Sequence, residues 1–259
     1  MSQTGPVPVS SRLRRASTGV LLPLLVVLAA LAPSGATATA PARPAVVEVR
    51  TIGHTVQGRP ILAWRLGQPT SSRKVVVLAA MHGNETGPSR ILANLRDGRR
   101  ITGADLWVVP QYNPDGIARG TRQNARGVDL NRNYPRSWRR TGGNYSSGTA
   151  PASEPETRAV MAFLRTVRPS YVVSFHQPLT GVGRAGAKGR PLVRRLHRGL
   201  GLPVRSFNCT GVCRGTMTEW FNASFPGVAV TVEYGAALSR SQAARSGPTG
   251  LLRAIGARR

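Results

Sequence analysis

The sequence predicts a single α/β domain. Short apolar runs alternate with amphipathic, helix-like segments along the chain. Several runs are continuously apolar, as suits strands covered on both faces of a sheet. Three of them, at residues 75–80, 171–175 and 228–232, lead into His or Glu at their carboxyl ends. No internal repeat interrupts this order.

The first forty residues stand apart from that pattern. Arg12, Arg14 and Arg15 precede an apolar stretch at residues 19–31, and small residues follow up to Ala40. This is the pattern of a secretory signal, with cleavage between Ala38 and Ala42. The apolar stretch is short for a bilayer span of about 20 residues. The expectation is therefore an exported protein, secreted or cell-wall associated, with no membrane insertion once the signal is removed. Residues 41–259 are left for the domain itself, enough for one core.

The chain carries a formal charge of +26, from 36 basic and 10 acidic residues. Such an excess favours anionic surroundings, such as a cell-wall polymer or acidic peptides. Nucleic acid is excluded as a partner, because no basic motif interleaved with aromatics and no finger spacing is present. Cys209 and Cys213 are the only cysteines. In an oxidising compartment they are expected to form a disulfide.

Residues 46–52 and 60–66 read as two strands joined by a glycine-containing connection. Residues 75–80 form the central strand, and a helix follows over 88–96, with Pro88 in its first turn. Residues 105–109 are the next strand. Residues 111–151 are polar, with little periodicity. A segment of that length is either disordered or functional, and the embedded Val128 and Leu130 suggest an ordered loop folded over a site. A helix starts at Ser153 or Glu154, with Pro155 in its first turn, and stops before Pro169. The strand at 171–175 ends in His176. A basic helix over 191–200 and a short strand over 204–207 come next. A short helix over 216–224 leads to the strand at 228–232, which ends in Glu233. A final helix spans 242–257, weakened by Gly247, Pro248 and Gly250.

In open α/β sheets, sites gather beyond the carboxyl ends of strands. His82 and Glu85 follow one strand, His176 ends a second and Glu233 ends a third. His82, Glu85 and His176 form a three-ligand nitrogen and oxygen set, and catalytic zinc sites have three protein ligands. Glu233 is then a general base beside the metal and not a fourth ligand. His54 and His197 are alternatives for the third ligand, although neither follows a core strand. Arg122, Asn131 and Arg132 in the polar segment could bind a carboxylate and polarise a carbonyl. A serine hydrolase is disfavoured by the absence of a Gly-x-Ser-x-Gly elbow.

At this point the motifs add up to a family. The chain resembles zinc carboxypeptidases of the funnelin type. The matching pieces are His82-Gly83-Asn84-Glu85, Asn113-Pro114-Asp115-Gly116, Thr121-Arg122-Gln123-Asn124, the run from Gly127 to Pro135 (GVDLNRNYP), Glu154-Pro155-Glu156-Thr157, Ser174-Phe175-His176 and Thr231-Val232-Glu233. The resemblance implies a mixed, mostly parallel twisted sheet flanked by helices. It implies one zinc ion per chain held by His82, Glu85 and His176. By position, Arg122 polarises the scissile carbonyl, Asn131 and Arg132 grip the terminal carboxylate, and Glu233 activates water. Met217 stands where a selectivity residue on the pocket floor is expected. Asn84 replaces an arginine found in many members, and the region near Gly211 lacks their capping tyrosine. Tyr234 is poorly placed to substitute for it.

The compact length and the HGNE form look most like bacterial murein peptide amidases. That resemblance implies a monomer cleaving the γ-D-glutamyl–meso-diaminopimelate bond of wall stem peptides. The alternatives are a general metallocarboxypeptidase acting on L-peptides, and a non-catalytic cell-wall binding module.

Overall fold

The computed structural model describes residues 43–207 and 213–259. The expected signal segment and Cys209, and with it the Cys209–Cys213 bridge, lie outside the described residues. None of the described helices is long and apolar enough to cross a membrane.

Eight strands form one sheet: β1 (Val46–His54), β2 (Pro60–Gly67), β3 (Lys74–Leu78), β4 (Asp105–Val109), β5 (Tyr171–His176), β6 (Leu179–Gly183), β7 (Val204–Arg205) and β8 (Val228–Gly235). Their spatial order is β1-β2-β4-β3-β5-β8-β6-β7. The central strands β4, β3, β5 and β8 are parallel to one another. Strands β1, β2 and β6 add antiparallel pairings, so the sheet is mixed as expected.

Residues of β3 alternate between two cores, as the period of two requires. Val75 and Val77 face the core built with α1 (Ser89–Arg96), α4 (Gly186–Leu200) and α6 (Gly247–Ile255). Val76 and Leu78 face the core built with α3 (Pro155–Val167) and α5 (Met217–Ser224). Covered on both faces, the strand has no polar position to spare, which is why it reads as an unbroken apolar run. The chain leaves β3 for β4 on one side and later returns to β5 on the other. The crevice between the carboxyl ends of β3 and β5 is therefore the topological switch point.

The structure departs from the sequence expectations at four places. A helix, α2 (Pro114–Arg119), lies inside the polar segment. Asn113-Pro114-Asp115-Gly116 looks like a turn, but Asn113 caps the helix by accepting the Gly116 N–H at 2.9 Å, and Pro114 fills its first turn. Strand β6 carries little sequence signal, with Gly181 and Gly183 among its five residues. Helix α4 starts at Gly186, ahead of Pro191, through residues without an apolar pattern. The last helix begins with a π-helical turn at Gln242–Ser246. Its glycines serve packing: a Cβ on Gly250 would strike the backbone of Gly199, and one on Gly199 would strike that of Gly250. The two glycines let α4 and α6 cross closely.

Helix α2 is tied to the β1–β2 connection by a buried carboxylate. Asp115 accepts from the Thr55 hydroxyl at 2.9 Å, the Gln57 N–H at 3.0 Å and the Arg59 guanidinium. Burial works to raise its pKa, but Arg59 and these hydrogen bonds outweigh it and hold the carboxyl below its usual range. A folded-state pKa that is lowered gives stability present above the unfolded value, roughly 3.9, and lost as pH falls through the folded value. Asp115→Ala is expected to lower stability by about 2–3 kcal/mol at pH 7, because it strands buried donors. Urea denaturation across pH will check this, and the gap to the parent protein should shrink below about pH 4.

Candidate metal centre and active site

The end of β3 is shaped for the site. Ala80 adopts the left-handed region, with φ of 54°, and turns the chain out of the sheet. Gly83 serves a different need from the turn its sequence position suggests: a Cβ there would strike the backbone of Gly116 and Ile117 in α2. The glycine lets the His82–Glu85 loop sit directly on that helix. Asn113 supports the same loop through its Nδ2, which donates to Met81 O at 3.3 Å.

His82, Glu85 and His176 converge and are all buried, with their candidate donor atoms within 4.8 Å of one another. His82 Nδ1 lies 2.7 Å from Glu85 Oε1. His176 Nδ1 lies 3.0 Å from Glu85 Oε2 and 3.3 Å from His82 Nδ1. The other nitrogen of His82, Nε2, is 3.0 Å from Asp129 Oδ1. An ionised Asp129 only accepts, so Nε2 carries the proton and Nδ1 turns a lone pair toward Glu85. Electron-pair donors this close call for a cation among them. Two imidazoles and a carboxylate suit zinc, and a carboxylate behind a ligating histidine is the usual support. The other two histidines do not reach the cluster. His54 is exposed on β1, and His197 on α4 bonds Leu202 O through Nδ1 at 2.7 Å.

A profile of the zinc carboxypeptidase family matches residues 36–180, a span that contains all three cluster residues. The chain belongs to the zinc carboxypeptidase family. Murein peptide amidase A of Escherichia coli K12 is 34% identical over 144 residues, which cover 49% of this chain and 58% of that protein. The murein peptide amidase A of Vibrio campbellii is also 34% identical, over 147 residues covering 50% of this chain and 58% of that protein. The match to these relatives thus spans 58% of their length. Among solved structures, the murein-tripeptide amidase of Escherichia coli O157 superposes with a TM-score of 0.65 at 28% identity, covering 79% of this chain and 91% of that one. The carboxypeptidase A of Helicoverpa armigera has a TM-score of 0.67 at 17% identity, covering 82% of this chain and 69% of that one, and so shares the fold.

The family profile ends at residue 180, short of Glu233. Sheet register brings that residue in: His176 of β5 is paired with Glu233 of β8. Paired residues on parallel neighbours point to the same face, so ligand and carboxylate emerge side by side. Glu233 is nearly buried and accepts the Leu179 N–H at 3.3 Å. Burial raises its pKa, and Glu85 adds to the rise, against the opposing pull of His176.

The cationic residues line the same cleft, of about 980 Å³. Arg122 donates to Asp129 Oδ2 through Nε at 3.0 Å and to Glu85 Oε1 through Nη1 at 3.3 Å. Arg132 is buried, and burial lowers its pKa. Among the described residues it has no carboxylate within salt-bridge distance, and its Nε makes no hydrogen bond. Asn131 accepts the Met217 N–H through Oδ1 at 3.0 Å.

One expectation needs correction. The Met217 side chain is fully buried in the α3–α5 core, packed away from the cleft; only its backbone N–H engages the site. The pocket wall is formed instead by Thr218, Glu219 and Asn222. Tyr234 points to the opposite face of β8 from Glu233 and packs edge-on against Phe175.

Sequence reasoning missed three supporting residues. Asp129 carries no ligand or base signature, because its role exists only through His82 and Arg122. Gln177 receives the Gly87 N–H at 3.0 Å and donates to Gly235 O and Ala236 O, fastening three loops. Tyr145 lies over both guanidiniums, 5.2 Å from Arg122 and 5.5 Å from Arg132. Asp129→Ala is expected to weaken zinc affinity about 10–100-fold. Chelator competition with a zinc indicator measures that loss, and an affinity equal to the parent's would remove Asp129 from its supporting role.

Proposed function

We propose that this protein is a zinc-dependent amidase that cleaves the bond next to a terminal residue bearing a free carboxylate, the γ-D-glutamyl–meso-diaminopimelate bond of murein stem peptides. The observation that carries the reading is the buried, carboxylate-free guanidinium of Arg132 in the same cleft as the His82–Glu85–His176 cluster. Asp129 acts on this guanidinium only at a distance and is itself paired with Arg122, so Arg132 keeps the capacity to take a carboxylate from the substrate. The named murein amidases among the relatives support the substrate class. The basic charge of the chain suits an anionic wall, and the expected signal segment suits work outside the cytoplasm.

In this reading Arg132, with the Nδ2 of Asn131, binds the terminal carboxylate. His82, Glu85 and His176 hold the zinc. Bound zinc supplies a Lewis acid and lowers the pKa of water. Arg122 faces the oxygen of the scissile carbonyl and stabilises charge developing there. Glu233, made more basic by burial, takes the proton of the attacking water and passes it to the leaving nitrogen. Its neighbour Leu179 N–H holds the carboxylate in place.

Chelation should abolish hydrolysis, and added zinc should restore it. Glu233→Gln should keep about one zinc per chain while kcat falls roughly 10²–10⁴-fold; metal analysis and progress curves separate the two effects. The substrate itself is tested by chromatography of digests. Release of diaminopimelate from L-Ala-γ-D-Glu-meso-diaminopimelate is expected. Release of terminal residues from ordinary L-peptides, with the tripeptide left intact, would replace the murein reading with a general carboxypeptidase.

A further inference from the structure

Helix α4 gathers charge on one face. Its inner side, with Leu192, Val193 and Leu196, packs into the core. Its outer side carries Arg190, Arg194 and Arg198, spaced by four residues and all exposed. Residues four apart on a helix are neighbours, so the three guanidiniums form one row. No acidic residue stands between Glu156 and Glu219 in the sequence. Among the described residues no carboxylate pairs with any member of the row.

Local structure does not account for the row. Other cations of α4 do have structural tasks. Lys188 donates to Asn222 O at 3.1 Å and to Phe225 O at 3.0 Å, at the end of α5, and Arg195 donates to Ala254 O at 2.7 Å. Arg190, Arg194 and Arg198 make no hydrogen bond among the described residues. By contrast, Arg50, Arg65 and Arg96 each reach a carboxylate. Like charges four residues apart weaken a helix. Cations near its amino end oppose the helix dipole, and the first turn of α4 holds no acid to offset them. The row therefore lowers the stability of the helix that carries it.

The row also borders a hollow. Arg184, Arg190 and Arg194 line a space of about 310 Å³ together with Ala187, Val193 and Val204. Among the described residues no carboxylate lines it. Arg184 is held there through Nε, which donates to Ser206 Oγ at 3.0 Å. The segment from Arg184 to Ala187 lines the active cleft as well, so hollow and cleft share a wall.

We propose that this face of α4 docks a polymer carrying a phosphodiester on each repeat unit, and so holds the protein against an anionic wall with its cleft beside the polymer. A phosphodiester offers two equivalent oxygens, which match the fork of a guanidinium. Its flanking ester carbons suit the apolar part of the hollow. A repeating anion meets successive arginines along the row and relieves the repulsion among them. The proposal concerns where the protein is held and goes beyond the question of which bond it cleaves.

The probe is labelled poly(glycerol phosphate), with poly-L-glutamate as the carboxylate comparison, and binding is followed by fluorescence anisotropy at several salt concentrations. The parent protein should bind the phosphodiester polymer more tightly than poly-L-glutamate. In Arg190→Gln/Arg194→Gln, binding at low salt should weaken about 10-fold and the slope of log Kd against log salt should fall by about 1–2. Arg99→Gln/Arg100→Gln removes the same charge from exposed residues after α1 and should leave both quantities nearly unchanged. Equal losses in the two variants would reduce the effect to net charge and overturn the proposal. Binding of poly-L-glutamate as tight as that of the phosphodiester polymer, or no binding by the parent, would overturn it too. Hydrolysis of the soluble tripeptide reports on the amidase reading separately, since neither pair of arginines lines the cleft.

Discussion

The carboxylate of Asp129 accepts at once from the ring of His82, the guanidinium of Arg122 and the backbone N–H of Asn131. These belong to the three parts of the proposed chemistry: metal, carbonyl and substrate carboxylate. One fully buried side chain therefore sets their mutual positions. Burial would push such a carboxyl up, but His82, followed by Arg122 and Arg132, outweighs it and keeps Asp129 ionised. Its charge offsets two nearby guanidiniums, which would otherwise repel each other and any cation beside them. Tyr145 shares in that task by offering the face of its ring to both.

Much of the fold was legible because the central strands are covered on both sides. Val75 to Leu78 leave no polar position, so a short unbroken apolar run marked the strand. The ends of β5 and β8 were legible for the same reason, and they delivered His176 and Glu233. Legibility failed where backbone geometry mattered more than side-chain pattern. Asn113-Pro114-Asp115-Gly116 satisfies the rules for a turn and for a helix start equally well. Strand β6 is held by pairing with β8 and shows little of its own composition.

Within the site, residues that act directly were easier to find than residues that act through others. His82, Glu85 and His176 have the chemistry of ligands, so type and spacing were enough. Asp129 and Gln177 are useful only through partners distant in sequence. The error over Met217 is instructive in the same way. Its position along the chain was right for a pocket floor, but the first turn of α5 directs its side chain into the core and the next two residues toward the cleft. A shift of one residue on a helix changes the face by about 100°, which sequence position alone does not resolve.

The pairing of His176 with Glu233 also bears on how this protein could change over evolutionary time. Their separation is set by the spacing between neighbouring strands, roughly 4.8 Å, and not by a loop. Substitutions in α5 or in the turn at Tyr145 can therefore alter which molecule is accepted without resetting the distance between His176 and Glu233. Conversely, a slip of one residue between β5 and β8 would turn one of the pair to the opposite face. The reaction is tied to the sheet and recognition to its borders, so new specificities can be explored while the chemistry stays constant.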